Sequence, residues 1–282
     1  MAFTSVTAGN LAFSVGNDPE ATARNRCALE ASLGVLPGHL RFMNQTHSSV
    51  VADVEPSAGT GAGGSGAVTP SRGSGAGTPA NAAVHADTAV QADTAVHADA
   101  MVSADGSVPL AVLVADCVPI VLADRQSRAT AVVHAGRQGI LDGIVRGTVV
   151  RLREEGATDL EAWIGPSVCG KCYEVPASMR DEFSAVVPAA RASTRSGSPS
   201  LDLPAAVTSQ LDGLGVEVVS GAVRADMVLS DDGSDAVLVD TAASDVPALD
   251  PSDSRCTLEN PRLFSHRREP GAGRIAGLVW RT

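Results

Sequence analysis

Residues 110–139 read LAVLVADCVPIVLADRQSRATAVVHAGRQG, and this stretch constrains the fold more than any other part of the chain. It holds three apolar runs, residues 110–115, 120–123 and 130–133, separated by short polar breaks. The first is apolar throughout, the pattern of a strand covered on both faces. Asp116 and Cys117 break it, and Pro119 is expected to stop regular pairing at that point. His134 ends the third run; Ala135-Gly136 then turns the chain, and a helical pattern opens at Gly139. A cysteine and a histidine at adjacent strand ends, beside a glycine turn into a helix, fit the rim of a site better than the inside of a core.

Around this stretch the chain alternates strand and helix patterns. Residues 11–15 alternate like a short strand. Asp18-Pro19-Glu20 is a helix start, with a cap residue, a proline in the first turn and an acid, and the helix is expected to run to about Ser32 and end at Gly34. Residues 40–43, 50–54, 100–103, 160–164, 216–219 and 275–280 read as strands. Ile140, Leu141, Ile144, Val145, Val149 and Leu152 make one helical face that ends at Gly156. Residues 167–175 and 190–200 read as loops, and helices are expected from near Pro176 to near Val187 and over residues 203–214. Residues 56–78 are Gly, Ala, Ser, Thr and Pro, a flexible segment. A short repeat, residues 83–100, follows with His85, Gln91 and His97 each before Ala-Asp. Its period of six matches neither helix nor strand contact geometry, so it reads as an expanded tract leading into the next strand rather than as a metal array. Residues 225–254 are Asp-rich and read as a solvated excursion, with one strand at residues 236–239.

With 282 residues and 44% hydrophobic content, one large domain or two small ones can bury a core, and with 3% aromatics that core must be Val, Ala and Leu. A net charge of −11 gives no basic footprint for nucleic acid and repels an anionic membrane surface. No apolar run approaches a membrane span and the start lacks the basic region of a signal peptide, so a cytoplasmic location is expected. The five cysteines are an odd number and argue for thiols or metal ligands over disulfides.

The residues allow several chemistries. His47, Cys117 and His134 each follow or interrupt a strand and can meet at one sheet edge. Two imidazoles and a thiolate suit Zn²⁺ and leave a fourth position open. The same Cys117 and His134 alternatively make a metal-free nucleophile–base pair, or remain a buried thiol and a satisfied strand-end histidine. Cys169-Gly-Lys-Cys172 is a C-x-x-C pair; a structural zinc there needs two more ligands, and with only Cys27 and Cys256 remaining the reading is disfavoured. The H-x-E of zinc nucleobase deaminases is absent. The glycine turn after His134 offers N–H donors to an anion, with Arg137 beside it. Arg267-Arg268 is a second anion clamp or a solvated charged pair.

The segments NQTHSSVV, ADAMVS, VLVADCVPIVLAD, VVHAGRQG, IGPSVCGKCYEV and CT…FSHRR…GR occur here in the order of the YfiH/laccase-domain family, and the chain resembles it. That family is also called multicopper polyphenol oxidoreductase-like and is related to human FAMIN. The resemblance covers nearly the whole chain, except insertions at residues 55–98 and 221–254. It implies one domain over residues 1–282, a mixed α/β (α+β) layered sandwich with mixed sheets between helices. It implies a zinc-dependent purine nucleoside phosphorylase acting with phosphate on adenosine, inosine and methylthioadenosine, with adenosine deaminase activity in some members. Carried over, His47 of Q-x-H, Cys117 of A-D-C-x-P and His134 of H-A-G are the metal ligands and catalytic residues. Gln45, Asp116, Arg137, Arg267 and Arg268 are the expected substrate-binding residues. Zinc is the expected ion with copper as the alternative, and a monomer is expected. Arg137 and Gln138 stand where the family commonly has Trp and Arg, and His266 where it has Tyr. Two further readings stand beside this one. The first is a laccase-like polyphenol oxidase, which one His/Cys/His trio cannot equip with several copper centres. The second is a non-enzymatic protein whose Asp-rich and repeat segments recruit a partner.

Overall fold

The structure, a computed structural model, describes residues 1–56, 96–219 and 255–281, together with the backbone of residues 68–70, 225–229 and 236–240. The strands are β1 (Ala2–Phe3), β2 (Val51–Val54), β3 (Val68–Pro70), β4 (Ala100–Ser103), β5 (Leu110–Val114), β6 (Val118–Asp124) and β7 (Thr130–Ala135). There follow β8 (Leu160–Ile164), β9 (Arg191–Ser193), β10 (Pro199–Leu201), β11 (Glu217–Val218), β12 (Ala225–Leu229), β13 (Ala236–Asp240) and β14 (Ile275–Val279). The helices are α1 (Pro19–Ser32), α2 (Arg137–Leu141), α3 (Ile144–Glu154), α4 (Ala177–Val186) and α5 (Leu203–Gly213).

A seven-stranded mixed sheet runs in the order β11-β8-β6-β7-β4-β2-β3, and a three-stranded antiparallel sheet in the order β1-β14-β5. Alternate side chains of the apolar runs serve different layers. On β6 and β7, Ile120, Leu122, Ala131 and Val133 pack with Val145, Val149 and Leu152 of α3 and with Val207 and Leu211 of α5. Val121 and Val132 point the other way and join Val112 and Val114 of β5 and Ile275 of β14 between the two sheets. The outer face of the small sheet, Ala111, Leu113, Ala276 and Leu278, packs on Leu29 of α1 and on Leu33, which caps its end. The result is helix, sheet, sheet, helix: a mixed α/β layered sandwich. Each strand at its centre is apolar on both faces, which explains why residues 110–115 show no alternation. Burying one such side chain contributes roughly 1.5–3 kcal/mol, so the doubly covered strands are the stable frame on which the loops are mounted. Among the described residues no helix is long and apolar enough to cross a membrane.

Several local expectations change. Residues 11–15 form turns rather than a strand, because the Asn10 side chain bonds Ala12 N, Ala12 O and Val15 O and diverts the backbone from pairing. Residues 40–43 make one isolated bridge, Arg41 to Leu110, instead of a strand. Pro119 lies inside β6, opposite His134 of β7. Its carbonyl accepts from Gly165 N, so its missing N–H falls at the edge just beyond the paired end of β8, where no ladder bond is lost. The single helix expected after Gly139 is two helices, α2 and α3, parted at Gly143, whose φ of 86° is left-handed. Residues 190–200 hold the hairpin β9–β10. Residues 96–98, read as the end of an insertion, are built into the fold: Asn44 N donates to Val96 O, Ala98 N to Asn44 O, and Ala98 is buried. The flexible segment and the repeat lie outside the described residues except for β3 and residues 96–100. So does most of residues 221–254, where β12 and β13 pair as an antiparallel hairpin.

Candidate active site and metal centre

The two sheets part at the C-terminal end of β5 and the start of β6, and three side chains converge there. His134 projects from β7. Cys117 sits in the turn between β5 and β6, and His47 in the loop before β2. Their donor atoms all lie within 4.8 Å of one another. Cys117 Sγ is 3.7 Å from His47 Nε2, and the two imidazole rings meet edge to face with centroids 4.7 Å apart.

Backbone and second partners hold this geometry. His47 and Asp116 have φ of 60° and 89°, values that L-residues rarely adopt. Asp99, fully buried, is the anchor. Its carboxylate accepts from His134 Nδ1 at 2.7 Å, from the backbone N–H groups of Thr46, His47 and Ser48, and from the Ser48 hydroxyl. One carboxylate therefore pins the strained His47 loop and fixes the His134 tautomer, leaving Nε2 to face Cys117. Gly136 of H-A-G is required for approach: a Cβ there would lie 2.8 Å from His47 Cδ2 and 3.4 Å from Cys117 Sγ.

The charges are strongly coupled. Burial pushes the Cys117 thiol up, but the His134 imidazolium and hydrogen bonds from both imidazoles override it and pull the thiol down to about 6. Burial lowers His134, while the Cys117 thiolate and the Asp99 carboxylate together raise it to about 9. Burial raises Asp99, and the bonds from His134 and Ser48 bring it down to about 2. The metal-free trio is thus a thiolate beside an imidazolium, backed by a carboxylate.

A cavity of about 420 Å³ opens on the trio, within the range of small-molecule sites. Gln45 lines it, yet its amide is committed to the backbone of Leu113, donating to the carbonyl at 2.7 Å and accepting from the N–H at 2.9 Å. Asp116 also lines it, and its carboxylate accepts from Thr257 Oγ1 at 2.6 Å and Arg267 N at 2.8 Å, tying the 255–268 segment to the site. Arg267 reaches the cavity with its guanidinium over the Tyr173 ring, 4.5 Å from the centroid. Arg268 and Arg137 do not line the cavity. Arg268 donates to the carbonyls of Thr257, Leu258, Asn260 and Leu263 and braces the segment from behind. Arg137 is the first residue of α2. Tyr173, His266 and Arg274 complete the wall. Burial lowers Arg274, against the pull of Cys117 and Asp116.

Asp99, Tyr173 and Arg274 escaped the sequence reading. Asp99 was masked by the repeat, since His97-Ala98-Asp99 looks like its two preceding copies. The signal available was position: Asp99 alone immediately precedes an apolar strand. Among the described residues a second donor cluster is present: Cys169, Cys172, Cys256 and Glu259 also bring one donor atom each to within 4.8 Å of one another.

The sequence model of the family described as multi-copper polyphenol oxidoreductase laccase matches residues 3–282. A Streptomyces coelicolor protein named purine nucleoside phosphorylase is 37% identical over 276 residues, 96% of this chain and 87% of that one. A Mycobacterium tuberculosis protein of the same name is 35% identical over 273 residues, 96% of this chain and 84% of that one. A Neisseria meningitidis structure, protein NMB0706 of family DUF152, superposes with a TM-score of 0.63 at 25% identity, covering 96% of this chain and 85% of that one.

Proposed function

This chain belongs to the multi-copper polyphenol oxidoreductase laccase family, and from that membership and the site's geometry we propose that it is a cytoplasmic, zinc-dependent purine nucleoside phosphorylase. The reading rests above all on one arrangement: an open His/Cys/His donor set and two arginines, Arg267 and Arg274, share a single cavity. The donor set fits the ion. Two imidazoles and a thiolate are borderline-soft ligands, three of them leave a position for substrate, and His134 is backed by a carboxylate as zinc-bound histidines usually are. The bound ion would act as a Lewis acid toward a substrate oxygen.

The chain's own residues do the rest. Arg267 and Arg274 offset the charge of phosphate and hold it at the cavity, and half-buried Arg274 makes the charge-assisted bond that is stronger than in water. Tyr173, which packs on the core and carries Arg267 over its ring, holds that guanidinium at the cavity wall. Asp99 keeps His134 and the His47 loop from drifting as charge develops. In the reaction a phosphate oxygen bonds to C1′ of the ribose as the bond from C1′ to the purine nitrogen breaks. The base leaves with a proton, and ribose 1-phosphate, or its methylthio analogue from methylthioadenosine, remains. The cavity takes adenosine, inosine or methylthioadenosine by this reading, and adenosine deamination is the accompanying activity.

The test is base release from inosine with and without phosphate. Release that needs phosphate and yields ribose 1-phosphate is expected; equal release without phosphate would refute phosphorolysis. Ammonia release from adenosine, followed in parallel, checks the deaminase activity. Two histidines and a cysteine, with Met43 also lining the cavity, suit copper as well, so metal analysis of the purified protein accompanies the assay.

A further inference from the structure

The second donor cluster shares no residue with the trio and none of its members lines the cavity, although Cys172 adjoins Tyr173 of the cavity wall. Two short turns face each other there. In the first, Cys172 N and Tyr173 N both donate to Cys169 O. In the second, Glu259 N and Asn260 N both donate to Cys256 O. Each turn presents donor side chains three positions apart, C-x-x-C opposite C-x-x-E. The turns are locked in register by a parallel bridge between Ser167 and Cys256, with Ser167 N donating to Arg255 O and Thr257 N to Ser167 O. Cys169 N donates to Cys256 Sγ at 3.5 Å, the backbone bond that favours a thiolate, and Cys172 Sγ donates to Glu259 Oε1 at 3.0 Å. Arg195 from the β9–β10 hairpin contacts both Cys172 Sγ and Glu259, bringing a positive charge to an otherwise acidic cluster.

We propose that Cys169, Cys172, Cys256 and Glu259 form a second, structural site for a soft divalent cation of the zinc class. A tetrahedral ion with metal–sulfur bonds of about 2.3 Å needs donors about 3.8 Å apart. All four donor atoms already lie within 4.8 Å of one another, so small side-chain rotations complete the shell. Three thiolates and a carboxylate around a dication leave two net negative charges, which Arg195 partly offsets. The four ligands fill the shell, as in sites that hold structure rather than bind substrate. The sequence supplied the C-x-x-C pair and Cys256 but not Glu259, so a structural zinc there was disfavoured; Cys256 and Glu259 arrive from more than eighty residues away. The ion would staple the 167–175 loop, which carries Tyr173, to the segment that carries Thr257 and Arg267. It would therefore set the cavity wall without touching substrate.

The test is metal content of the purified full chain after dialysis, repeated with Co²⁺ as the probe ion. The wild type is expected to bind two equivalents, and Cys117→Ala one. Cys172→Ser and Cys256→Ser are also expected to retain one equivalent each and to melt at a lower temperature. Because Cys256 is buried and its variant can misfold, the partly exposed Cys172 gives the independent reading. In Cys117→Ala the remaining Co²⁺ should keep the intense thiolate-to-metal absorption of a site with several sulfur ligands. One equivalent in the wild type that disappears entirely in Cys117→Ala would overturn the proposal. So would a count of three free thiols among the five cysteines without a second equivalent of metal, because a disulfide would then join two of the ligands.

Discussion

The two donor clusters share no residue and are built by different means. The His47–Cys117–His134 trio draws one residue from each of three separate segments. It rests on strained backbone at His47, is backed by buried Asp99, and opens on the cavity. The Cys169–Cys172–Cys256–Glu259 cluster draws on two tight turns whose own backbone N–H groups organise the sulfurs, and none of its four residues lines that cavity. An open shell on strained loops suits chemistry, since a ligand position must stay free for substrate. A closed shell on relaxed turns suits support. Their electrostatics differ at Cys117 and Cys172, although Cys256, bonded by Cys169, is also drawn down to about 6. Cys117 is pulled down by an imidazolium, whereas burial and the neighbouring Glu259 carboxylate push Cys172 up to about 11.

The sharpest way to break this contrast is to remove one ligand. Cys117→Ala should lose the metal of the trio and lower phosphate-dependent turnover by more than about a hundredfold, because it removes one of only three protein ligands. Metal analysis and inosine turnover on the same preparation check it. Full turnover with undiminished metal would mean that the trio is not the catalytic centre.

A smaller effect is expected one step out. Asp99→Asn keeps the shape but replaces the charge that fixes His134 and the His47 loop. A loss of roughly 10–100-fold in metal affinity or turnover is expected, the usual range for outer-shell partners. Titrating the apo variant with Zn²⁺ against a competing chelator gives the number. Wild-type affinity would make Asp99 a packing residue only.

Alkylation compares the clusters directly. In metal-free protein at pH 7.5, iodoacetamide should label Cys117 much faster than Cys172, since the former is ionised above about 6 and the latter only above about 11. Cys117 labelling should slow as pH falls below about 6, where the thiol regains its proton, and should be suppressed at any pH when zinc is restored. Peptide mass mapping over time reads both sites at once. Equal rates would contradict the assigned electrostatics.

The smallest effect is expected for the repeat. Deleting residues 71–94, after β3 and before the built-in residues 96–98, should leave turnover unchanged and shift the melting temperature by less than about 2 °C. A large loss would join the repeat to one of the clusters.

How far the sequence reached differs by region for physical reasons. The central strands were legible because doubly buried strands leave unbroken apolar runs, and β5 and β7 fall on the stretches that pattern marks, whereas the layered arrangement was implied by the family resemblance. Helix α1 was legible from its cap, since Asp18 accepts from Ala21 N where the sequence placed a start. Short elements were not: the β9–β10 hairpin is half exposed and carries too little apolar pattern, and Asn10 redirects residues 11–15 through side-chain bonds that no periodicity records. The structure brings His47, Cys117 and His134 together as strand-end placement and the family resemblance both suggested. Arg274 and Asp99 were invisible because their roles depend on what stands opposite them in space. The C-x-x-C pair was visible and Cys256 was a candidate partner, but Glu259, a carboxylate beyond a long excursion, carried no signal as the fourth donor.

The most direct measurement is phosphate-dependent inosine cleavage by the full chain before chelation, after chelation, and after Zn²⁺ is returned, with Cys117 labelling followed in each sample. Activity should be lost with the metal and regained with it, while Cys117 becomes reactive only in the chelated state. Turnover indifferent to chelator, together with rapid Cys117 labelling and inactivation of the untreated enzyme, would contradict a metal-assisted phosphorylase and favour a Cys117–His134 dyad.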